Sequence, residues 1–263
     1  MKKYLYIFKS EIMSNLQYAF DIFVGFIGYA VHIFIFLNLW EYIYSDPNEL
    51  INGYSMSQMI WYVIVTEILW SALNGRKFNR RISEDVRTGN ISYNINKPYN
   101  YVEYMLSSHL GITSFRFLLV TILGMVLGYI FLGSFPEISL LGIICVLISC
   151  LLATLISIFL IIGLGLFAFY IEDATPFYWL YSKMILLLGT IFPVEFFSTI
   201  IQPIIKYSPI FAVSIAPAKL FVDFSITTFL ETLVIQLLYL LVCATIVHLF
   251  YKKGVKKLNV NGG

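Results

Sequence analysis

The sequence predicts an all-α polytopic membrane protein with six transmembrane helices. Of its 263 residues, 59% are hydrophobic and only 12% are charged, about half the charged fraction of a soluble domain. The apolar residues form long runs, and the basic residues collect in alternate gaps between these runs. Lipid leaves backbone polar groups to be satisfied within the protein, so runs that are apolar on all faces favour helices over the alternating strands of a barrel.

The length of each apolar run identifies the spans. A bilayer core of about 30 Å requires roughly 20 apolar residues in a helix. The runs assigned as spans are residues 19–44, 56–73, 112–133, 138–170, 176–192 and 227–251. Because little sequence remains between them, we expect a single transmembrane domain over residues 1–263 and no separate soluble domain.

The basic residues predict the orientation of the chain. Thirteen of the seventeen lie before the first span, between the second and third spans, or after the sixth. The loops after the first and third spans contain Asp46, Glu49 and Glu137 but no basic residue. Glu172 and Asp173 interrupt the pattern after the fourth span, but acidic residues carry little weight in the positive-inside rule. Both termini are therefore predicted to lie in the cytoplasm, with the chain in the bacterial cytoplasmic (plasma) membrane.

Residues 1–17 form a distinct segment ahead of the first span. Leu5, Phe8, Ile12 and Leu16 recur close to the spacing of a helix, and charged residues lie between them. We predict an N-terminal amphipathic helix in the cytoplasmic membrane interface. The alternative is a frayed extension of the first span.

Residues 74–100 form the longest polar stretch, on the predicted cytoplasmic side. A helix of one or two turns is predicted to begin at Ser83, a candidate N-cap, with two acidic residues in its first turn. Arg87 suits the last turn, and Gly89 suits the left-handed conformation that ends a helix. A helix this short is marginal in water and would be stabilised by docking. The alternative is a solvated, charged loop that only fixes the topology.

Residues 192–224 are apolar enough for a span but contain four prolines, which are Pro193, Pro203, Pro209 and Pro217. A proline inside a helix costs about 3 kcal/mol or more, so one straight helix is excluded. We predict two short helices separated by a turn near residues 207–209, packed against protein while dipping into the outer leaflet. The charged residues expected at the water interface are Glu195, Lys206, Lys219 and Asp223.

A few polar residues lie within the predicted spans, where a charge costs roughly 2.5–3.5 kcal/mol. Glu67 is the translocation-path candidate; it either lines a polar path or forms a pair or hydrogen bond across a helix interface. His32 is expected to be a neutral packing residue. Gly163 and Gly165 allow either close helix approach or bending, and the sequence does not choose between them.

Several signatures of other classes are missing from the sequence. It contains no GxxxxGK[ST] phosphate loop, no HExxH and no GxSxG, and its cysteines lack metal-ligand spacing. We therefore expect no catalytic residue, no metal site and no ATPase motif in this chain. The broken outer segment has no counterpart in the first half, unlike the inverted repeats of many secondary transporters. The aromatic-rich spans suit an amphipathic or lipid-soluble cargo better than a hydrated ion.

Several segments together resemble the permease subunits of type-2 ATP-binding-cassette exporters. They are ISEDVRTGNISYNINKPYNYVEY on the cytoplasmic side, FPVEFF…YSPI…APAKLF on the outer side, and the tail VKKLNVNGG. One branch of that family carries an I…(D/R)-x-G-x-I…Pro signature and a paired glycine after a basic stretch. The matching residues here are Ile82, Arg87, Gly89, Ile91, Pro98, Gly262 and Gly263.

The resemblance implies six helices per permease and a second permease, identical or paralogous. It also implies ATP-binding-cassette ATPase subunits on the cytoplasmic side, which would hold ATP and Mg. It assigns residues 192–224 to re-entrant helices near an outer gate, and the helix near residues 83–88 to a coupling helix in a cleft of the ATPase. The coupling residues that it indicates are Arg80, Arg81, Ile82, Ser83, Glu84, Asp85, Val86, Arg87 and Gly89.

The sequence therefore predicts a permease that exports a drug, a peptide or a lipid-like cargo with ATP hydrolysed by a separate subunit. The lipid bilayer is its other partner, with no cofactor in this chain and no nucleic acid. Two alternatives remain: a non-transporting membrane scaffold or immunity factor, and an ion-coupled secondary carrier.

Overall fold

The computed structural model describes residues 2–17, 19–44, 46, 49–171 and 173–261, apart from the side chains of residues 19–23 and 258–261. Within these ranges the regular structure is helical, and strand pairing is confined to an isolated bridge between Ile51 and Tyr54. The predicted all-α class is therefore confirmed. The helices are α1 Lys2–Gln17, α2 Ala19–Ile43, α3 Met56–Ala72, α4 Arg76–Arg87, α5 Asn90–Ile95, α6 Tyr101–Leu132, α7 Leu140–Leu166, α8 Thr175–Ile185, α9 Gln202–Lys206, α10 Ala216–Val222 and α11 Ile226–Asn261.

Five of these helices are long and apolar enough to cross a membrane, and they are α2, α3, α6, α7 and α11. The predicted span at residues 176–192 is helical but shorter. It consists of α8 and a π-helical turn, Leu186–Thr190. At 1.5 Å per residue, residues 175–190 extend only about 24 Å. The polytopic architecture thus has five full-length spans and one short one.

The short span lies beside the proline-rich outer segment. Here α9 and α10 are separated by a turn at Tyr207 and Ser208, as the prolines predict. A second π-helical turn, Phe211–Ile215, leads directly into α10 and packs on the first. The side chain of Gln202, the first residue of α9, donates to the carbonyl of Phe197 (2.9 Å) and so fixes the start of this helix.

The two π-helical turns shift the backbone hydrogen bonds from four to five residues apart, and side-chain hydroxyl groups donate to carbonyls at the first of them. The hydroxyl of Tyr62 donates to the carbonyls of Gly189 (3.2 Å) and Phe192 (3.3 Å). The hydroxyl of Thr66 donates to Thr190 (2.9 Å), and that of Ser214 donates to Gly189 (3.0 Å). Within lipid no water is available to bond to these backbone carbonyls. The hydroxyl groups of α3 therefore help to satisfy the irregular backbone.

The helices α1 and α6 pack together at the end of the molecule that was predicted to be cytoplasmic. Lys3 Nζ donates to the carbonyl of Pro98 (2.6 Å), and Ser108 Oγ donates to Glu11 (2.6 Å). A Cβ at Gly111 would lie 2.6 Å from the carbonyl oxygen of Phe8, so the backbones approach closely. α6 is about 48 Å long, and the part that α1 contacts precedes the predicted span.

The apolar stripe predicted for residues 1–17 is divided by this packing. Phe8 and Ile12 are half-buried on the described surface, whereas Leu5 and Leu16 are exposed. The exposed pair is available to lipid, and the interfacial position of α1 stays a prediction.

The double variant Tyr62→Phe, Thr66→Val is expected to destabilise the protein, because the carbonyls of Thr190 and Phe192 lose their side-chain donors and that of Gly189 keeps only Ser214. Loss of each buried partner costs about 1 kcal/mol or more. Thermal unfolding of the detergent-solubilised protein measures the effect as a lower Tm. Thr245→Val is the matched control, because Thr245 Oγ1 bonds only within its own helix, to Leu241 (2.7 Å). Equal Tm values for the two variants would contradict the assignment.

Candidate coupling site and intramembrane polar groups

Helix α4, in the segment predicted to be cytoplasmic, is longer than predicted and begins earlier. Its N-cap is Gly75, and it runs for 12 residues to Arg87. Ser83 is not an N-cap, which corrects the prediction; it lies in the middle of the helix, 4% exposed. The predicted ending is confirmed, since Gly89 follows the helix with a φ of 77°. Local capping signals were overridden by packing, which stabilises most short helices in proteins.

The packing face of α4 explains its length. Phe78, Ile82 and Val86 recur every four residues and are buried with Asn79 and Ser83. A Cβ at Gly165 of α7 would lie 2.8 Å from Cβ of Ile82. Because α7 is unbroken from Leu140 to Leu166, Gly165 serves close approach and not bending.

Two hydrogen bonds and one aromatic stack also hold α4, and they reach α7, α8 and α6. Asn79 Nδ2 donates to the carbonyl of Ile161 in α7 (3.0 Å). The backbone N–H of Gly75 donates to the hydroxyl of Tyr178 in α8 (2.9 Å). Phe78 stacks on His109 of α6 with a centroid separation of 4.2 Å. Sequence reasoning missed Phe78 and Asn79, although the four-residue apolar spacing pointed to the first.

The predicted coupling residues fall on two faces of the helix. Ile82, Ser83 and Val86 are buried within this chain and are not available to a partner. The exposed ones are Arg80, Arg81 and Arg87, and Glu84 and Asp85 are half-buried. Arg76 and Lys77, which were not among the predicted residues, are also exposed on this helix.

The charged side chains of α4 have different tasks. Glu84 pairs with Arg80 at 2.8 Å. Asp85 accepts a hydrogen bond from the hydroxyl of Tyr101 (2.9 Å), and Arg81 donates to that of Tyr104 (3.2 Å), so both side chains are held against α6. What remains is an outward face with a basic excess, the α4 outer face, which consists of Arg76, Lys77, Arg80, Glu84 and Arg87.

Asp173 lies near this face. Its carboxylate accepts a hydrogen bond from the N–H of Thr175 (2.9 Å) at the start of α8. Hydrogen bonds from the side chain and backbone of Thr175 lower the pKa of Asp173, and the positive charges of Arg87 and Arg80 act in the same direction. Asp173 is thus a carboxylate at neutral pH.

Glu67 lies in the most buried spanning helix, with a side chain that is 1% exposed. Its Oε2 is 3.6 Å from Nδ1 of His32 in α2, and its Oε1 has no hydrogen-bond partner among the described residues. The ring of His32 stacks on Trp70 at 6.0 Å and is 45% exposed on the outer surface of α2. The structure therefore brings Glu67 to a base on another helix, one of the arrangements expected from the sequence.

The named residues of the outer segment hold a polar cluster. Glu195 contacts Lys219 and accepts a hydrogen bond from Tyr54 (3.1 Å). Pro203 lies in the first turn of α9, where a missing N–H is tolerated. Pro217 follows the second π-helical turn within a continuous helical run, so its missing N–H falls where the backbone pattern is already irregular. Pro193 immediately precedes a 3₁₀ turn, Val194–Phe196, and Pro209 opens the helical run that contains the second π-helical turn.

Comparison with known proteins bears on the whole chain. A family profile described as ABC-2 family transporter protein matches residues 26–262. A search of curated proteins finds no match. Of the residues that carried the resemblance, Gly262 and Gly263 lie outside the described residues. Glu172, which interrupted the predicted charge pattern, also lies outside them. The profile covers most of a chain whose apolar helices are those of a multi-pass membrane protein. The chain therefore belongs to the ABC-2 transporter family, as a membrane-spanning permease.

Proposed function

We propose that this chain is the permease subunit of an ATP-binding-cassette exporter, paired with a second permease and driven by separate ATPase subunits that hold ATP and Mg. The observation that carries the proposal is the α4 outer face. It presents a basic excess to solvent on a helix whose other side is packed into the membrane domain. Together with membership of the ABC-2 family, this favours docking of an ATPase at α4.

The charge of the α4 outer face indicates the surface that it fits. Four basic side chains surround the single acid Glu84, so a partner cleft lined by acidic residues would be complementary. Exposed ion pairs contribute about 0–1 kcal/mol each, and the face therefore guides and orients a partner more than it holds it. Affinity would come from the apolar and aromatic groups nearby, such as the exposed Tyr93 of α5.

Motion imposed on α4 has a direct route into the membrane domain. Contact between Ile82 and Gly165 and the hydrogen bond from Asn79 tie α4 to α7, while Asp85 and Phe78 tie it to α6. Displacement of α4 would therefore move α6 and α7 with it. This gives a two-state element that ATP binding in a partner can bias.

The translocation pathway is proposed to run between two permeases. On the cytoplasmic side, a cavity lined by Trp70, Asn74, Tyr181 and Ser214 has a volume of only about 20 Å³. This is space for about one water molecule, so a drug, peptide or lipid-like cargo cannot enter there in this conformation. An opening between two chains removes that restriction.

The proposed orientation places both termini in the cytoplasm of a bacterial cell. The start of α6 contacts both ends of the chain. Lys3 of α1 donates to Pro98, and the ring of Tyr101 stacks on that of Tyr251 in α11 at 6.1 Å. The three basic segments therefore lie at one end of the molecule, which is the end that the positive-inside rule assigns to the cytoplasm.

Neutralising the α4 outer face is expected to weaken the ATPase partnership. For Arg80→Gln, Arg87→Gln, we expect at least a tenfold loss of co-purified ATPase or of permease-stimulated ATP turnover, with little change in the Tm of the permease. Lys252→Gln, Lys253→Gln removes the same charge from the exposed cytoplasmic part of α11 and is the matched control. Equal losses in both variants, or no loss in either, would refute the docking role of α4.

Gly165→Ala is expected to separate ATPase binding from coupling. Its methyl group would overlap with Cβ of Ile82, 2.8 Å away, and would push α4 off α7. We expect the ATPase to remain bound while permease-stimulated turnover falls severalfold. Gly28→Ala meets no atom within 4 Å and serves as the control. Stimulated turnover equal to that of the control would exclude contact with α7 as the coupling route.

The role of Glu67 can be tested together with His32. Removing the histidine in His32→Leu leaves Glu67 without its partner, at a cost of about 1–3 kcal/mol. We expect a lower Tm for this variant than for His32→Leu, Glu67→Leu, in which both members of the pair are apolar. Transport by the double variant then decides the function: retained transport makes Glu67 structural, and lost transport with a normal Tm places it on the cargo path.

A further inference from the structure

An outward-facing cavity lies between the re-entrant segment and the start of α11. Its volume is about 380 Å³, and its wall includes Lys206, Lys219, Glu195, Glu231 and Tyr207. It opens at the end of the molecule that carries the loop between α2 and α3, because Tyr54 of that loop bonds to Glu195. Nothing in the proposed coupling mechanism uses this cavity.

Two ion pairs line the cavity, and they differ in burial. Lys219 and Glu195 form the inner pair, which is 21% and 30% exposed and is supported by the hydroxyl of Tyr54. Lys206 and Glu231 form the outer pair at 3.0 Å, and their side chains are 42% and 64% exposed. An exposed pair is worth about 0–1 kcal/mol. The outer pair therefore opens at little cost, while the inner pair stays closed.

The charges of the two ion pairs determine which class of ligand the cavity can bind. The four groups sum to zero, so a ligand with one net charge would leave an uncompensated charge in a partly buried site. A ligand that carries both an anion and an ammonium group avoids this. Its anionic group would form an ion pair with Lys206 and its ammonium group one with Glu231, so each side chain exchanges one ionic partner for another.

Apolar surface lies on both sides of the cavity. Its wall includes Phe211 and Ile235. Beside it, Ile204 of α9 is 67% exposed and Val234 of α11 is 58% exposed, and both belong to a protein surrounded by lipid. An acyl chain would therefore have apolar surface to follow from the cavity into the outer leaflet.

We propose that this cavity binds the headgroup of a zwitterionic amphiphile from the outer leaflet, through Lys206 and Glu231. The headgroup chemistry is an anionic phosphate joined to a primary ammonium. The inference goes beyond the proposed export function, because binding at this site requires neither an ATPase nor a particular cargo.

Binding to the purified permease in detergent tests the proposal by calorimetry. The probes are dihexanoylphosphatidylethanolamine, the anionic dihexanoylphosphatidic acid, and glycerophosphoethanolamine, which has the headgroup without chains. We expect the zwitterionic lipid to bind at least tenfold more tightly than either of the others. Lys206→Gln, Glu231→Gln should lower its affinity at least tenfold. Glu137→Gln removes an exposed carboxylate at the same end of the molecule, outside the cavity, and should leave it unchanged.

A variant that gains affinity for a different ligand distinguishes loss of the binding site from misfolding of the variant. Lys206→Gln leaves one carboxylate in excess, so dodecylammonium should bind this variant at least threefold more tightly than it binds the parent protein. Any one of three results would overturn the proposal: equal or tighter binding of the anionic lipid, unchanged binding by the double variant, or no gain for dodecylammonium. Equal binding of glycerophosphoethanolamine would also overturn it, since the ligand would then be a soluble zwitterion.

Discussion

The fold depends on one requirement, that every backbone carbonyl within the membrane find a donor. Regular helices meet it internally, whereas the two π-helical turns at Leu186–Thr190 and Phe211–Ile215 interrupt the regular pattern. Side chains donate to carbonyls at both turns: Tyr62 and Thr66 of α3 at the first, and Gln236 of α11 at the second. This explains why α3 is the most buried of the spanning helices and why its polar residues point inward to protein. Tyr62 and Thr66 therefore need no transport role to account for their presence in this helix.

Close approach of helix backbones is the second constraint, and two examples lie at the end of the molecule proposed to face the cytoplasm. Gly111 lets α1 lie against α6, and Gly165 lets α4 lie against α7. Neither contact leaves room for a Cβ at the glycine. Helices α1 and α4 therefore pack directly on α6 and α7, in addition to being connected to the spans through the chain. This geometry can transmit motion, because a force applied to the exposed side of α4 acts directly on the side chains packed behind it. A solvated loop at residues 74–100, the alternative that the sequence left open, would lack this property.

The sequence predicted what depends on local pattern and composition. Long apolar runs predicted the spans, four prolines predicted the break near Tyr207, and Gly89 predicted the end of α4. The N-cap prediction at Ser83 was wrong. The helix begins earlier because Phe78 and Ile82 of α4 are buried by tertiary packing, in which Ile82 contacts Gly165 of the distant helix α7. The π-helical turns and the approach of His32 to Glu67 were equally out of reach, because both depend on which helices become neighbours. The same holds for the partners of Glu195 and Lys206, whose charges were placed at the water interface without partners.

The inner and outer ends of the molecule are joined by α7 and α11. Gln236 of α11 donates both to Ser149 of α7 (3.0 Å) and to Ala212 in the second π-helical turn (2.8 Å), and it is fully buried. At its other end α7 carries Gly165, against which α4 is seated. A shift of α7 driven from α4 would therefore either carry the re-entrant segment with it or break buried hydrogen bonds at a cost of about 1–3 kcal/mol each. Because the first course costs less free energy, we expect α7 to couple α4 mechanically to the proline-rich segment, both through this buried amide and through its direct packing on the second π-helical turn and α10.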